Sequence, residues 1–455
     1  MYDVIIIGGG LAGLSSAVEL TAVGTKILLL ENRNFFGGRT YSFTEKKTGY
    51  PIDNGQHLMM GCYENTLKFL QTIGSAHLTY LQPNLHINYL MTANEKTCLN
   101  LPNLPPPFHL IGGILNFQAI SFAERLKLFK VAPAILHTSK KKEKKLDAKT
   151  VDKWLNELGQ SDIIRKYFWN VITLGALNNQ PHDSSALMIF RVLRKVFLGN
   201  KKNSCLLIPK TDLSNLFVIP ALKFITDNGG AYYTNENVQE IILTKDYVTK
   251  VKTKTGKEFS AKAFICAVPW HEAEKLLPFI NIKGKFTSSP IISVNLWFDR
   301  LITDFDFCTM PNSKFHWMFN KTRLCVIPSD YAVSPGTQCL SLIMSSAQSY
   351  VNLSNKDLVE IAIGDLEELF PEMRSARLVN SLVIKERKAT FLPYPGLEVF
   401  RPATETQLKN LFLAGDWTAT GYPATIEGAI LSGKKAAEKA KEFLSTACST
   451  ILVCK

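Results

Sequence analysis

An α/β fold, built on a parallel sheet and interrupted by an α+β insertion, is predicted by three observations. An apolar strand at the N-terminus runs into spaced glycines, a second apolar strand ends in an acid, and a third near the C-terminus closes on Gly-Asp. Val4-Ile5-Ile6-Ile7 is a β-branched run suited to a strand buried on both faces. It leads into Gly8-Gly9-Gly10-Leu11-Ala12-Gly13. There Gly8, Gly10 and Gly13 allow a tight turn, a close approach of backbone amides to a pyrophosphate, and a helix packed near the strand. Leu11 and Ala12 open that helix, whose N-terminal amides favour an anion. Lys26 to Leu30 reads as the second strand, and Glu31 stands at its end, placed to accept hydrogen bonds from a ribose. Strand, turn, helix, strand and acid thus follow the order of a Rossmann-like dinucleotide unit.

Gly37-Gly38-Arg39 comes next and puts a fork-shaped cation where it can neutralise a pyrophosphate. Asp53-Asn54-Gly55-Gln56-His57 crowds polar groups around a glycine. Its pattern fits a turn held by side-chain hydrogen bonds, with part of a site as the alternative. After the prolines at 102, 105, 106 and 107, Phe108 to Ala123 contains no charged residue and carries an apolar stripe at helical spacing. That stretch suits either a core helix or a segment resting in a membrane interface. The basic run Lys140-Lys141-Lys142-Glu143-Lys144-Lys145 follows it and suits contact with anionic lipid.

Helical patterns continue to Phe197, and strands return from Leu206 through Val238 to Ala267-Val268-Pro269. Ile291–Asp299, Trp317–Phe319, Cys325–Ile327 and Leu340–Ile343 suggest a second sheet. Asn410 to Ala414 is another buried strand, closing on Gly415-Asp416. Asp416 is placed for a ribityl hydroxyl, and the helix read from Ala424 to Gly433, with Thr425 and Ile426 in its first turn, offers its N-terminus to negative charge on a reduced flavin. The two ends together point to FAD. Because motifs for one cofactor lie at both ends, the FAD domain is expected to be discontinuous, from 1–90, 205–285 and 385–455. Residues 91–204 and 286–384 then form the substrate domain.

Composition narrows the partners. With 455 residues, 46% hydrophobic and 20% charged, the chain has enough apolar content for more than one core. Its 52 basic and 39 acidic residues give a net charge of +13, which suits a nucleic acid or an anionic membrane. No nucleic-acid motif is present, so an anionic membrane surface is expected. The nine cysteines show no Cys-x-x-Cys pair and there is no His pair at ligand spacing, so neither a metal site nor a disulfide framework is expected. Reduced thiols fit a cytoplasmic protein, held peripherally on the inner face of the cytoplasmic membrane.

These pieces resemble the flavin amine oxidase and phytoene desaturase superfamily. Within it, the chain is similar to the squalene-associated FAD-dependent desaturases of the hopanoid pathway, the hydroxysqualene dehydroxylases. The stretches that carry this likeness are Asp53-Asn54-Gly55-Gln56-His57 with Met60-Gly61-Cys62-Tyr63, Ala176-Leu177-Asn178 with Ser184-Ser185-Ala186, Phe197-Leu198-Gly199, Leu296-Trp297-Phe298-Asp299-Arg300, Lys385 to Phe391, and Ala414-Gly415-Asp416-Trp417-Thr418. Phe36 and the lysine-rich run near Lys140 depart from the family pattern.

The resemblance implies reduction of hydroxysqualene to squalene by reduced flavin, a long-chain isoprenoid substrate, and an electron donor it does not name. It implies non-covalent FAD, since no Cys lies in Phe391–Gly396. The cofactor would be held by Gly8, Gly10, Leu11, Ala12, Gly13, Glu31, Arg39, the Val238 backbone, Gly415, Asp416, Thr425 and Ile426. It also sets the Asp53–His57 turn beside the isoalloxazine, which makes His57 and Asp53 the candidate acids. His57 is preferred because an unperturbed imidazole titrates near 6.5, and Trp417 and Tyr422 are candidates to stabilise a cation. A carotenoid desaturase is the alternative enzyme, and a prenyl-binding escort protein the non-catalytic one.

Overall fold

The computed structural model describes residues 2–325 and 336–453. The central strands of its first sheet are buried on both faces. Tyr2–Ile7 lies between Ile27–Leu30 and Glu258–Cys266, parallel to both, and Ala231–Tyr233 and Leu411–Leu413 extend the parallel set. Val238–Thr244 and Tyr247–Thr253 complete it as antiparallel strands. The apolar runs at Val4–Ile7 and Leu28–Leu30 are almost wholly excluded from solvent, as their lack of alternation requires.

The first helix, Leu11–Thr21, covers one face, and the last helix, Ile426–Val453, packs on it. Ser15 Oγ donates to the Ile430 carbonyl at 2.9 Å and Ser16 Oγ to the Gly433 carbonyl at 2.9 Å. A Cβ on Gly433 would lie 2.1 Å from the Ala12 carbonyl oxygen, so the two backbones meet only because that residue is glycine.

A second sheet has the order Leu378–Phe391, Ser288–Phe298, Gln338–Met344, Trp317–Asn320, Phe307–Thr309, His86–Leu90, Lys96–Asn100. It is antiparallel except where Phe307–Thr309 meets His86–Leu90. This sheet takes in His86–Leu90, which lies wholly within the stretch 1–90, and its edge strand Leu378–Phe391 runs on past residue 385. Helices between residues 108 and 197 pack over it around Trp154, Phe168, Trp169 and Phe190. Of the strand expected at Cys325–Ile327 only Cys325 lies among the described residues, and it follows the short helix Lys321–Leu324. The Cys448 side chain and Cys454 also lie outside them.

The apolar stripe of Phe108–Ala123 is not one helix. Phe108–Leu115 ends at Asn116, and Ser121 starts Phe122–Leu128 by accepting from the Glu124 amide. Phe117 and Ile120 are buried between them, while Phe108 and Phe122 are exposed. The basic run forms a helix, Lys140–Asp147, whose start Ser139 caps in the same way. No helix among the described residues is long and apolar enough to cross a membrane.

Candidate active site

A cavity of about 1870 Å³ is lined by residues of both sheets. A pocket for one drug-sized ligand measures about 300–1,000 Å³, so this space exceeds the needs of one such molecule. Part of its wall is polar and glycine-rich. Gly10 precedes the first helix and brings no side-chain cap, which leaves first-turn amides for a ligand. A Cβ on Gly10 would find its nearest neighbour 3.9 Å away, whereas one on Gly38 would come to 3.1 Å of Gly10 Cα. Gly8, Leu11 and Ala12 complete this cradle. Gly13 does not line it. A Cβ there would lie 1.9 Å from the Gly8 carbonyl oxygen, so Gly13 serves to close the helix onto the turn.

Glu31 is pinned at the strand end. Its Oε2 accepts from the Gly9 amide at 2.7 Å and its Oε1 from the Arg33 amide at 2.8 Å. Arg39 also lines the cavity, with Nη2 donating to Asp416 Oδ1 at 2.7 Å and Nη1 to the Ala389 carbonyl at 2.9 Å. The cation expected over a pyrophosphate is therefore clasped to the acid expected at a ribityl chain. Val238 lines the wall beside a ladder irregularity at Gln239 that leaves backbone unpaired. Gly415, Asp416, Thr425 and Ile426 face the same space, and Thr425 Oγ1 caps the last helix by accepting from the Gly428 amide at 3.1 Å. Open glycines, helix starts and fixed carboxylates form a set that fits the phosphates and hydroxyls of FAD.

The rest of the wall is apolar, formed by side chains such as Ile87, Leu99, Ile172, Val192, Ile291 and Ile343. Sequence patterns did not single these out, because they come from separate helices and strands that look like ordinary core.

Asp53 and His57 are separated by the fold. Asp53 is not among the lining residues. Its Oδ2 takes a bond from Lys321 Nζ at 2.7 Å, and its Oδ1 accepts from Ser42 Oγ at 2.7 Å and from the Leu213 amide at 2.9 Å. Such a carboxylate is ion-paired within the protein and does not face the cavity, which corrects the acid role expected of it. His57 does line the cavity, with Nδ1 2.8 Å from the Gly55 carbonyl oxygen. A carbonyl can only accept, so in the neutral ring Nδ1 carries the proton and Nε2 does not. Burial lowers the His57 pKa below its ordinary value, the Gly55 bond and Asp53 oppose this, and Arg39 and Lys321 reinforce it. The expectation of an unperturbed imidazole is corrected accordingly.

Trp417 and Tyr422 both line the cavity. Trp417 is fully buried, donates from its indole to the Val268 carbonyl at 3.0 Å and meets Phe286 edge-on, so it acts as wall. Lys195 Nζ already lies 5.5 Å from the Tyr422 ring centroid. Sequence reasoning missed Lys321, for which no local signal exists. It also missed His271, which lines the cavity just past Val268-Pro269 and is pushed down to about 4, mainly by burial.

A family described as flavin containing amine oxidoreductase matches residues 11–440. The chain is 27% identical to a 15-cis-phytoene desaturase of an Oncidium hybrid cultivar, over 96% of this chain and 77% of that protein. It is 24% identical to the 15-cis-phytoene desaturase of Synechococcus elongatus, over 96% and 95%. Among solved structures, an oxidoreductase from Methanosarcina mazei superposes with a TM-score of 0.72 at 15% identity, over 96% of this chain and 100% of that one.

Proposed function

Because the chain belongs to the family of flavin-containing amine oxidoreductases, and is by that membership an FAD-dependent oxidoreductase, we propose that it removes the hydroxyl of hydroxysqualene to give squalene, using FAD held without a covalent bond. The observation that carries this reading is the apolar part of the cavity opening into the glycine cradle, a space that suits a long isoprenoid beside a dinucleotide. The stretches around Asp53–His57, Leu296–Arg300 and Lys385–Phe391 support the choice of substrate through their likeness to the hydroxysqualene dehydroxylases.

When bound, reduced flavin supplies the hydride that replaces the departing oxygen. The substrate hydroxyl lies next to a carbon–carbon double bond, so its loss as water leaves an allylic cation, and the apolar wall keeps solvent from recapturing it. Hydroxide leaves poorly, and a general acid contributes typically about 10²–10⁴-fold. We assign that proton to His57, through Nε2, since Nδ1 is engaged by Gly55. With its pKa lowered, the imidazolium is scarce at neutral pH but a strong donor.

Desaturation is the second reading, favoured by the identity to phytoene desaturases along nearly the whole chain. There a neutral His57 would accept a proton. The pH profile separates the two. If His57 is the acid, kcat/KM falls as pH rises through a value below about 6.5, and His57→Gln flattens that limb. If it is a base, kcat/KM rises with pH through the same value. The direct test is anaerobic: reduce the bound flavin, add hydroxysqualene, and follow flavin reoxidation and squalene together. Reoxidation with stoichiometric squalene is expected, whereas no squalene, with phytoene instead oxidised by the oxidised enzyme, would overturn the reading in favour of desaturation.

A further inference from the structure

One face of the helical layer combines exposed apolar side chains with unpaired lysines. Leu104, Phe108, Ile111, Phe122, Leu126 and Leu136 are 37% to 61% exposed, far more than solvent-facing packing requires of residues this large. Their neighbours are anchored, since Phe117, Ile120 and Ile135 are buried in the core beneath. The face is held together by the helix Ala186–Phe197 and the turn after it. Arg191 pairs with Glu143, Arg194 donates to the Ile135 and Leu136 carbonyls, and Lys201 reaches Asn103. Lys142 Nζ of the basic helix Lys140–Asp147 donates to the Ala134 and His137 carbonyls, which sets that helix beside Leu136.

On that helix Lys140, Lys141, Lys144 and Lys145 are exposed and have no ion-pair partner among the described residues. Of the acids nearby, Glu143 is taken by Arg191 and Glu124 by Lys127 and Ser161, while Asp147 at the end of the helix is partly buried. The surface is thus apolar with a cationic flank. An aqueous protein partner would need acidic groups around an apolar centre, whereas an anionic bilayer offers both chemistries over a plane.

We propose that this face docks on an anionic lipid bilayer, with Phe108, Ile111, Phe122 and Leu126 entering the interface and the four lysines over the headgroups. Glu143, on the basic helix, and Arg191, Arg194 and Lys195, on the helix it packs against, line the cavity. The cavity therefore reaches the helices behind the docked face, so that an apolar substrate would enter it from the lipid side. This entry route rests on the isoprenoid reading above, but the docking does not.

The test uses the full-length flavin-loaded protein and sedimentation with vesicles at low salt. Binding is expected to phosphatidylcholine vesicles containing phosphatidylglycerol and to be much weaker with phosphatidylcholine alone. Phe108→Ser with Phe122→Ser should cut partitioning by at least about ten-fold. Reversing the four lysines to glutamate should cut it by on the order of a hundred-fold and remove its salt dependence. Flavin absorbance and the thermal midpoint of each variant show that the fold is kept. Failure of the wild-type protein to sediment with anionic vesicles would overturn the proposal. So would variants that bind like wild type, or a wild-type dimer that the Phe108→Ser/Phe122→Ser change splits while lipid binding stays unchanged. None of these readouts involves turnover, so they do not depend on the substrate assignment.

Discussion

Lys321→Met is expected to destabilise the protein by about 3–5 kcal/mol, because it strands a buried carboxylate. The Lys321 and Asp53 side chains are 2% and 4% exposed, and their ion pair measures 2.7 Å. Gln56 Oε1 accepts a further bond from Lys321 at 3.0 Å. Burial pulls the ammonium pKa down, but Asp53 outweighs it and leaves Lys321 above its ordinary range. A folded pKa raised in this way gives stability that is fully present below about pH 10.4 and is lost only as pH rises through the folded value, so the neutral range is flat for this pair. Denaturant titration would check the loss. The double variant Asp53→Asn/Lys321→Met should recover more than half of it, since an amide keeps the bonds from Ser42 and Leu213 without leaving a charge. A single variant as stable as wild type would show that the pair does not hold the Asp53–His57 turn.

The glycine turn supplies the second large effect, and two neighbouring substitutions should differ in kind. Gly13→Ala forces a methyl to within 1.9 Å of the Gly8 carbonyl oxygen, and that atom belongs to backbone that cannot swing aside. Overpacking of this sort costs about 1–3 kcal/mol or more, so both the thermal midpoint and flavin retention should fall. Gly10→Ala meets nothing closer than 3.9 Å. Its midpoint without flavin should stay near wild type, while flavin affinity drops by on the order of ten-fold, since a 1.4 kcal/mol contact loss is enough for that. Calorimetry with and without flavin, together with fluorescence of released FAD, separates the two outcomes. Equal losses of stability in both variants would show that Gly10 packs against protein as Gly13 does.

What could be read in advance follows from the range of the forces involved. The Tyr2–Glu31 unit is local, with its strand, turn, helix and acid all within one stretch, and it forms as the glycine spacing and the unbroken apolar runs require. Asp416 was legible for the same reason, at the end of a short buried strand. The Asp53 role was not, because its partner lies 268 residues away. Nothing in the order of residues around Asp53 distinguishes an ion-paired carboxylate from an exposed acid. His57 shows the intermediate case: the turn was legible, but the lowered pKa depends on burial and on Arg39 and Lys321. The apolar stripe at Phe108–Ala123 was read as one helix although Ser121 and Glu124 carry a capping signature that divides it. Phe117 and Ile120 are buried as a core segment requires, whereas Phe108 and Phe122, at the start of each helix, are exposed.

The contact between the first and last helices has a consequence for the order in which the protein is made. Ser15 and Ser16 find their partners 415 and 417 residues later in the chain, and Arg39 finds Asp416 377 residues later. At about 5–20 residues per second, the ribosome takes roughly 20–90 s to reach those partners after the first strand emerges. Throughout that interval the glycine cradle exists without its closing wall and the parallel sheet without its last strand. Flavin capture is thus a late event of biogenesis, and a nascent chain stalled before Gly433 would expose an apolar sheet face to chaperones and proteases instead of acquiring colour.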